Sequence, residues 1–157
     1  MNVQDLKEVV RTHPMLAGLP EDVVELAAGC AHNVVFAEGA LLFAEGDTAD
    51  TLYLLRRGRV AIEVHTPAQA PLVIETVGAG DAVGWSWLIP PYRWRFDARA
   101  IEPVGAVALD GTCLRGKAEA DPAFGYALLQ QITAVILDRL QATRVRLLDL
   151  YEAPRGA

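Results

Sequence analysis

The sequence predicts a mostly β fold with α-helices at both ends: an eight-stranded antiparallel β-roll, or jelly roll, flanked by N-terminal helices and a long C-terminal helix. Eight short runs of β-forming residues recur at spacings of about 8 to 12 residues between Asn33 and Asp110. Six of the 13 glycines fall in the breaks between these runs, where short strands need tight corners. Helical periodicity is confined to the segments on either side. Closed antiparallel packing explains this combination best.

Two short helices are expected in the N-terminal region, residues 1–31. Apolar residues follow a helical spacing from Asn2 to Thr12, and Pro14 closes that segment. A second helix is expected after Pro20, because proline and the two acidic residues that follow it favour a helix start. Gly29 ends this helix.

The β-roll is expected to span residues 32–111. Its predicted strands are four to six residues long and are bounded by glycine-containing turns. These strands are Val34–Ala37, Leu41–Ala44, Leu52–Leu55, Val60–His65, Leu72–Val77, Ala82–Trp87, Phe96–Ile101 and Val104–Leu109.

The C-terminal region, residues 112–157, is expected to contain a short helical turn at Thr112–Ala118 and a long helix over residues 121–152. Asp121 suits the N-cap and Pro122 suits the first turn. About 31 residues make a helix of about 46 Å, which is too long for a small domain to cover alone. Its apolar stripe comprises Leu128, Ile132, Val135, Ile136, Leu140, Leu147 and Leu150. The simplest partner for the uncovered part is the same helix of a second copy, so we expect a homodimer.

Composition excludes several classes of protein. The chain has 157 residues, 52% of them hydrophobic, which fits one globular domain. Its net charge of −6 argues against direct contact with nucleic acid, which requires a basic surface. No apolar run approaches the roughly 20 residues that span a bilayer, and the polar N-terminus does not resemble a signal peptide. We therefore expect a soluble, cytoplasmic protein with no membrane partner.

The cysteines and histidines do not form a recognisable chemical motif. Cys30 and Cys113 lack the spacing of metal ligands or of a disulfide framework, so we expect free, inert thiols. The three histidines, His13, His32 and His65, include no His-x-His pair of the kind that holds a metal. No catalytic residue, metal ligand or enzyme activity is predicted.

Several motifs occur together in one register. Phe36-Ala37-Glu38-Gly39 precedes Leu42-Phe43-Ala44-Glu45-Gly46-Asp47, and Arg57-Gly58-Arg59-Val60 and Gly80-Asp81-x-Val83-Gly84 follow. Together they resemble the cyclic nucleotide-binding domain family, the sensor module of catabolite activator proteins, cyclic-nucleotide-gated channels and protein kinase regulatory subunits. The resemblance covers nearly the whole chain. It implies a sensor roll with a phosphate-binding cassette at residues 80–95.

The cassette departs from the family pattern at its acidic position. In the family, the residue after the equivalent of Gly84 is usually a glutamate that binds the ribose 2′-hydroxyl, and an arginine about nine residues later pairs with the cyclic phosphate. Here the glutamate position is Trp85. The arginine position falls within Tyr92–Arg95, so the resemblance implies Arg93 or Arg95 as the phosphate ligand.

Other ligand contacts follow from the same resemblance. The backbone of residues 84–87 would present N–H groups to a phosphate, and Ser86 would add a hydroxyl donor. Trp85 and Trp87 either stack on a ligand or fill the pocket. Thr143 and Arg144 of the long helix are implied to face the base.

The sequence therefore predicts a stand-alone cyclic nucleotide-binding-like sensor domain, with cAMP or cGMP as the candidate ligand, coupled to a dimerisation helix and to an effector protein of unknown identity. The DNA-reading helix-turn-helix of the activator proteins is expected to be absent, because only five residues follow Glu152. One alternative is a degenerate domain that binds no nucleotide and acts as a protein-interaction scaffold. A cupin-like metalloenzyme is a second alternative, which the histidine spacing disfavours.

Overall fold

The helices of the protein begin and end close to the predicted positions. The structure, a computed structural model, describes residues 3–152, without the side chains of residues 3, 4 and 69. The predicted helix start at residue 2 and the last five residues of the C-terminal region lie outside the described residues. The helices are α1 (Val3–Thr12), α2 (Glu21–Ala28), α3 (Gly111–Ala120) and α4 (Pro122–Glu152).

All eight predicted strands are present in the described chain, so the predicted fold class is confirmed. They are β1 (Ala31–Phe36), β2 (Leu41–Phe43), β3 (Thr51–Arg57), β4 (Arg59–Thr66), β5 (Gln69–Gly78), β6 (Ala82–Val83), β7 (Asp97–Ala100) and β8 (Val104–Asp110). They form two four-stranded antiparallel sheets, in the order β1-β8-β3-β6 and β2-β7-β4-β5. The two sheets enclose the core of the roll.

Strand β6 is shorter than predicted. The sequence suggested a strand through Trp87, but β6 ends at Val83, and a short 3-10 helix covers Ser86–Leu88. Gly84 lies between them with a φ of +94°, a left-handed conformation that turns the chain out of the sheet. Beyond β6, Trp87 is apolar because it is buried in the core, not because it pairs in a strand.

Both C-terminal helices begin at an aspartate cap. The Asp110 carboxylate accepts a 2.9 Å hydrogen bond from the Cys113 amide, and the Asp121 carboxylate accepts a 3.2 Å bond from the Phe124 amide. The helical turn predicted at residues 112–118 is therefore a complete helix of 10 residues. On α4 the buried residues are Phe124, Leu128 and Ile132. Every residue from 141 to 152 is exposed.

The two cysteines form a disulfide, so the prediction of free thiols was wrong. Cys30 precedes β1 and Cys113 lies in the first turn of α3, and their Cα atoms are 5.8 Å apart. The two residues are separated by 83 positions in the sequence. Their proximity arises only when β1 and β8 pair and place α3 beside the end of α2, which cysteine spacing alone does not reveal.

Arg99 forms an ion pair that joins two strands. Its Nε lies 3.1 Å from Glu63 Oε1 on the neighbouring strand. Next to this pair, the buried Asp97 carboxylate accepts a 2.7 Å hydrogen bond from the Glu45 amide and pairs with His65. Burial opposes ionisation of Asp97, but the hydrogen bonds from Glu45 and His65 and the nearby positive charges lower its pKa. These contacts hold β7 against β4.

His13 holds the chain after α1 against β3. Its Nε2 lies 3.0 Å from the Leu55 carbonyl oxygen, and its Nδ1 accepts a 3.2 Å hydrogen bond from the Met15 amide. The ring is therefore neutral, with its proton on Nε2. Burial lowers the pKa of His13 below 6.5, although the bond to Leu55 opposes this shift.

The buried neutral state of His13 predicts a pH dependence of stability. Below pH 6.5 the unfolded chain binds a proton that the folded protein excludes, so the free energy of unfolding falls as the pH is lowered. This single site contributes a slope of at most about 1.4 kcal/mol per pH unit. Urea unfolding between neutral and mildly acidic pH should show a smaller slope in His13→Gln than in the wild type. Equal slopes in the two proteins would contradict the assignment of His13 as a buried, neutral side chain.

Candidate functional site

The cassette segment, residues 80–95, lies between β5 and β7, includes β6, and carries most of the predicted ligand residues. Its first turn is fixed by Asp81, whose carboxylate accepts a 2.9 Å hydrogen bond from the Gly78 amide. Gly84 then packs closely against two neighbours. A Cβ at this position would lie 2.8 Å from the Thr51 carbonyl oxygen and 2.9 Å from Trp94 Cη2. Only glycine fits this position in its present surroundings.

Trp87 is a core residue that connects the cassette segment to α3. Its side chain is fully buried, and its indole Nε1 donates a 2.8 Å hydrogen bond to the Gly84 carbonyl. The ring also lies against Gly111, the first residue of α3, where a Cβ would come within 2.7 Å of the indole. Ser86 is half-buried at the start of the 3-10 helix. Of the two interpretations of Trp87, these contacts favour a filled core.

Trp94 fills the space in front of Gly84 and was not singled out from the sequence. Its side chain is only 4% exposed, and its ring stacks on Phe43 with the centroids 3.8 Å apart and the planes at 11°. Its amide donates a 3.0 Å hydrogen bond to the Asp47 carbonyl, and its carbonyl accepts a 2.9 Å bond from the Gly46 amide. The alternation of arginine and aromatic residues over 93–96 was the available signal for an inward-facing ring.

Arg93 and Arg95 lie on either side of Trp94, and both side chains are exposed. Arg93 Nη1 donates a 3.1 Å hydrogen bond to Thr48 Oγ1 and a longer one, 3.4 Å, to the Gly46 carbonyl. The structure thus brings Arg93 to the rim of the roll beside the β2–β3 turn. Trp94, which lies between the two arginines, faces the interior of the roll.

Trp85 contacts α4 through Arg139. The Arg139 guanidinium carbon lies 4.7 Å from the centroid of the Trp85 ring, a cation–π geometry. Arg139 also donates a hydrogen bond to the Ala82 carbonyl, and its Nε lies 3.6 Å from Glu75 Oε1. Burial lowers the pKa of Arg139, while the charges of Glu75 and Asp81 oppose that shift. One largely buried side chain therefore joins the cassette segment, β5 and α4.

The two remaining predicted residues lie farther along α4. The Thr143 hydroxyl donates a 2.9 Å hydrogen bond to the Arg139 carbonyl one turn earlier, and Thr143 and Arg144 are both exposed. Within the described part of the chain, no hydrogen bond connects either side chain to the cassette segment. Arg139 reaches the cassette segment from α4, and the sequence analysis did not single it out.

The far end of the cassette segment contacts α3. The Arg115 guanidinium carbon lies 4.2 Å from the centroid of the Tyr92 ring, and Arg115 Nη1 donates a hydrogen bond to the Trp87 carbonyl. Tyr92 has a φ of +58°, which turns the chain back toward the roll after Pro90 and Pro91. The cassette segment is therefore attached to both C-terminal helices, to α3 by Arg115 and to α4 by Arg139.

Two further kinds of feature were sought among the residues described, a metal site and a membrane-spanning helix. Over residues 3–152, no cluster of three or more histidine, cysteine or acidic side chains has the arrangement of a metal site. Within the same residues, no helix combines the length and the apolar character needed to cross a membrane.

A β-roll with a turned cassette segment joined to two C-terminal helices is the architecture of a cyclic nucleotide-binding-type domain. Residues 33–121 match the cyclic nucleotide-binding domain, and the chain belongs to this family. A protein from Geobacter metallireducens GS-15, described as a cyclic nucleotide-binding protein, is 30% identical in sequence. Its structure superposes with a TM-score of 0.76, over 85% of this chain and 97% of that one.

Two further relatives are described as a transcriptional regulator and a catabolite activator protein. The CRP-like cAMP-activated global transcriptional regulator of Mycobacterium tuberculosis (strain H37Rv) is 26% identical over 145 residues, 92% of this chain. The match spans 63% of that regulator's length. The catabolite activator protein of Thermus thermophilus has the same fold, with a TM-score of 0.68 and 22% identity over 88% of this chain and 63% of that one.

Proposed function

We propose that the chain is a dimeric regulatory domain in which the β-roll fixes the position of α4, and in which the protein's own tryptophans occupy the roll interior in place of a cyclic nucleotide. The observation that carries this proposal is the position of Trp94, buried against Gly84 and stacked on Phe43 at 3.8 Å. A phosphate approaching Gly84 from inside the roll would have to displace this ring.

The contact between Trp85 and Arg139 supports the same proposal. In the family, the position of Trp85 usually carries the ribose-binding glutamate, so an acidic contact to a sugar hydroxyl is missing here. Losing charge-assisted hydrogen bonds costs about 1.5 to 3 kcal/mol for each bond. The tryptophan instead contacts Arg139 of α4. A side chain of the protein thus makes a link to α4 that does not depend on a small ligand.

The exposed seam of α4 supports pairing with a second copy. Seven exposed positions alternate in spacing between four and three residues, the pattern of a two-stranded coiled coil. These seam positions are Leu129, Thr133, Ile136, Leu140, Thr143, Leu147 and Leu150. Arg139 and Arg146, which contact the roll, lie outside the seam. The roll and a partner helix can therefore hold α4 at the same time.

Analytical ultracentrifugation with and without cyclic nucleotide tests the proposal. The wild type is expected to be a dimer at tens of micromolar, with the same sedimentation when cAMP or cGMP is added. Leu140→Glu, which places a charge in the seam, is expected to weaken dimerisation at least about 100-fold, since burying an unpaired charge costs several kcal/mol. Leu137→Glu changes the same residue type at another exposed position, outside the seam, and should remain dimeric. A monomeric wild type would contradict the proposal.

Cyclic nucleotide sensing is the second candidate function. Family membership favours it, together with Arg93, which lies on the rim of the roll beside the Gly46 carbonyl. Under this hypothesis Trp94 moves aside when ligand binds. Saturable calorimetric heat with cAMP or cGMP, lost in Arg93→Ala, would support sensing and would overturn the ligand-independent proposal. Titrations without heat would support the ligand-independent proposal.

A further inference from the structure

The disulfide between Cys30 and Cys113 is not explained by the regulatory function. Both residues lie outside the cassette segment, one at the end of the α2 region and the other in the first turn of α3. We propose that this disulfide is a redox-active site that exchanges with small dithiols and with glutathione-type disulfides, and that its state controls how firmly α3 is held.

Cys30 and Cys113 differ in solvent exposure. Cys30 is only 6% exposed, whereas Cys113 is half-buried at the surface of α3. An incoming thiolate therefore attacks the Cys113 sulfur. The Sγ–Sγ bond breaks, a mixed disulfide forms on Cys113, and Cys30 leaves as the thiolate.

The second thiol of a dithiol reagent completes the reaction. It attacks the reagent's own sulfur in the mixed disulfide and releases Cys113, and the reagent becomes a cyclic disulfide. Two electrons pass from the reagent to the protein, and its two thiol protons end on Cys30 and Cys113. A glutathione-type disulfide reoxidises the protein: it accepts two electrons and the two thiol protons, the bond between Cys30 and Cys113 forms again, and two molecules of the reduced thiol are released.

Lys117 places a positive charge beside the residue that precedes Cys30. Its ammonium group donates a 2.7 Å hydrogen bond to the Leu26 carbonyl, and a Cβ on Gly29 would lie 2.5 Å from the same nitrogen. Gly29 is the residue before Cys30, so a fixed positive charge lies beside the end of α2 where the thiolate forms. Positive charge near a cysteine stabilises its thiolate and speeds exchange.

The two sides of the disulfide stay together when it is reduced. The Asp110 amide donates a 2.9 Å hydrogen bond to the Cys30 carbonyl. Lys117 adds its bond to Leu26. These contacts do not involve sulfur, so they keep the two thiols close enough for the disulfide to form again.

Reduction is expected to loosen α3 and the beginning of α4. The two helices are closely packed, because a Cβ on Gly125 would lie 3.0 Å from the Ala118 Cβ. Losing the covalent link at Cys113 removes one of the restraints on α3 and thus affects the helix pair. This redox chemistry goes beyond the proposed regulatory function, and its test does not depend on dimerisation or ligand binding.

Thiol trapping on the native protein tests the proposal. The protein is treated with dithiothreitol without denaturant, alkylated with iodoacetamide and weighed by mass spectrometry. We expect no labelled cysteine before treatment and two per chain afterwards. A reduced sample that is freed of dithiothreitol and given oxidised glutathione before alkylation should again carry no label. Labelling that requires denaturant would overturn the proposal, because the disulfide would then be purely structural.

Two lysine variants test the role of the positive charge. Lys117→Met is expected to slow native reduction about three- to tenfold, because the leaving thiolate loses its neighbouring cation. Lys117→Arg keeps the charge and should react within about twofold of the wild type. Lys7→Met, which removes a lysine that pairs with Glu25 on the N-terminal helices, is the matched control and should not change the rate. Equal rates for Lys117→Met and the wild type would overturn the role given to Lys117.

Hydrogen exchange measures the effect on the helices. Reduction is expected to increase amide exchange over residues 111–128 while leaving β3 and β8 protected. An increase spread over the whole chain, or none at all, would overturn the proposed control of α3.

Discussion

Replacing Trp94 with alanine is expected to lower the free energy of unfolding by about 3 to 5 kcal/mol, the usual cost of removing a large aromatic side chain from a packed core. The loss is large because the ring is 4% exposed and stacks on Phe43 at 3.8 Å. Urea denaturation of the wild type and the variant measures it. Arg95→Ala, the exposed neighbour, is the matched control and should change stability by less than about 0.5 kcal/mol.

The Trp94→Ala variant also tests whether the ring excludes a cyclic nucleotide from the interior of the roll. Removing Trp94 opens a space beside Gly84 and Phe43, so a thermal shift with cAMP or cGMP is expected in Trp94→Ala and not in the wild type. A stability loss below about 1 kcal/mol would show that the ring is poorly packed and would contradict its role as a fixed part of the interior.

Removing the covalent link between Cys30 and Cys113 is expected to lower the free energy of unfolding by about 2 to 4.5 kcal/mol. The upper figure follows from the loop-closure entropy for a sequence separation of 83 residues. The double variant Cys30→Ala, Cys113→Ala and the dithiothreitol-treated wild type should unfold at similar urea concentrations, both below the untreated wild type.

The double variant provides the control for reagent effects, because its unfolding midpoint should not respond to dithiothreitol. If the wild type, confirmed by mass to be reduced, unfolds at the same midpoint as the oxidised protein, the predicted stabilisation is absent.

Much of the fold could be predicted because local rules and tertiary structure agree. The bounds of α4, which begins after Asp121 and runs to Glu152, could be predicted because the N-cap and the helical periodicity are both local signals. The glycine turns likewise mark the strand ends. The disulfide could not be predicted, because the approach of Cys30 and Cys113 depends on strand pairing between distant segments.

The candidate site was harder to predict because its residues act across elements. The family pattern directed attention to Arg93 and Arg95, whereas the inward side chain is Trp94 between them. Arg139 lies on α4, and its contact with Trp85 depends on how α4 lies against the roll. Neither the inward position of Trp94 nor the contact between Arg139 and Trp85 follows from the spacing of residues within the cassette segment.

Helix α4 also has the geometry of a lever arm. Its last buried residue is Ile132, and the 20 residues from there to Glu152 extend for about 30 Å. Arg139 and Arg146 attach this length to the roll, at the Ala82 and Ile74 carbonyls. A rotation of about 10° at Ile132 would move the far end by about 5 Å. A displacement of this size at the tip is comparable to one helical turn.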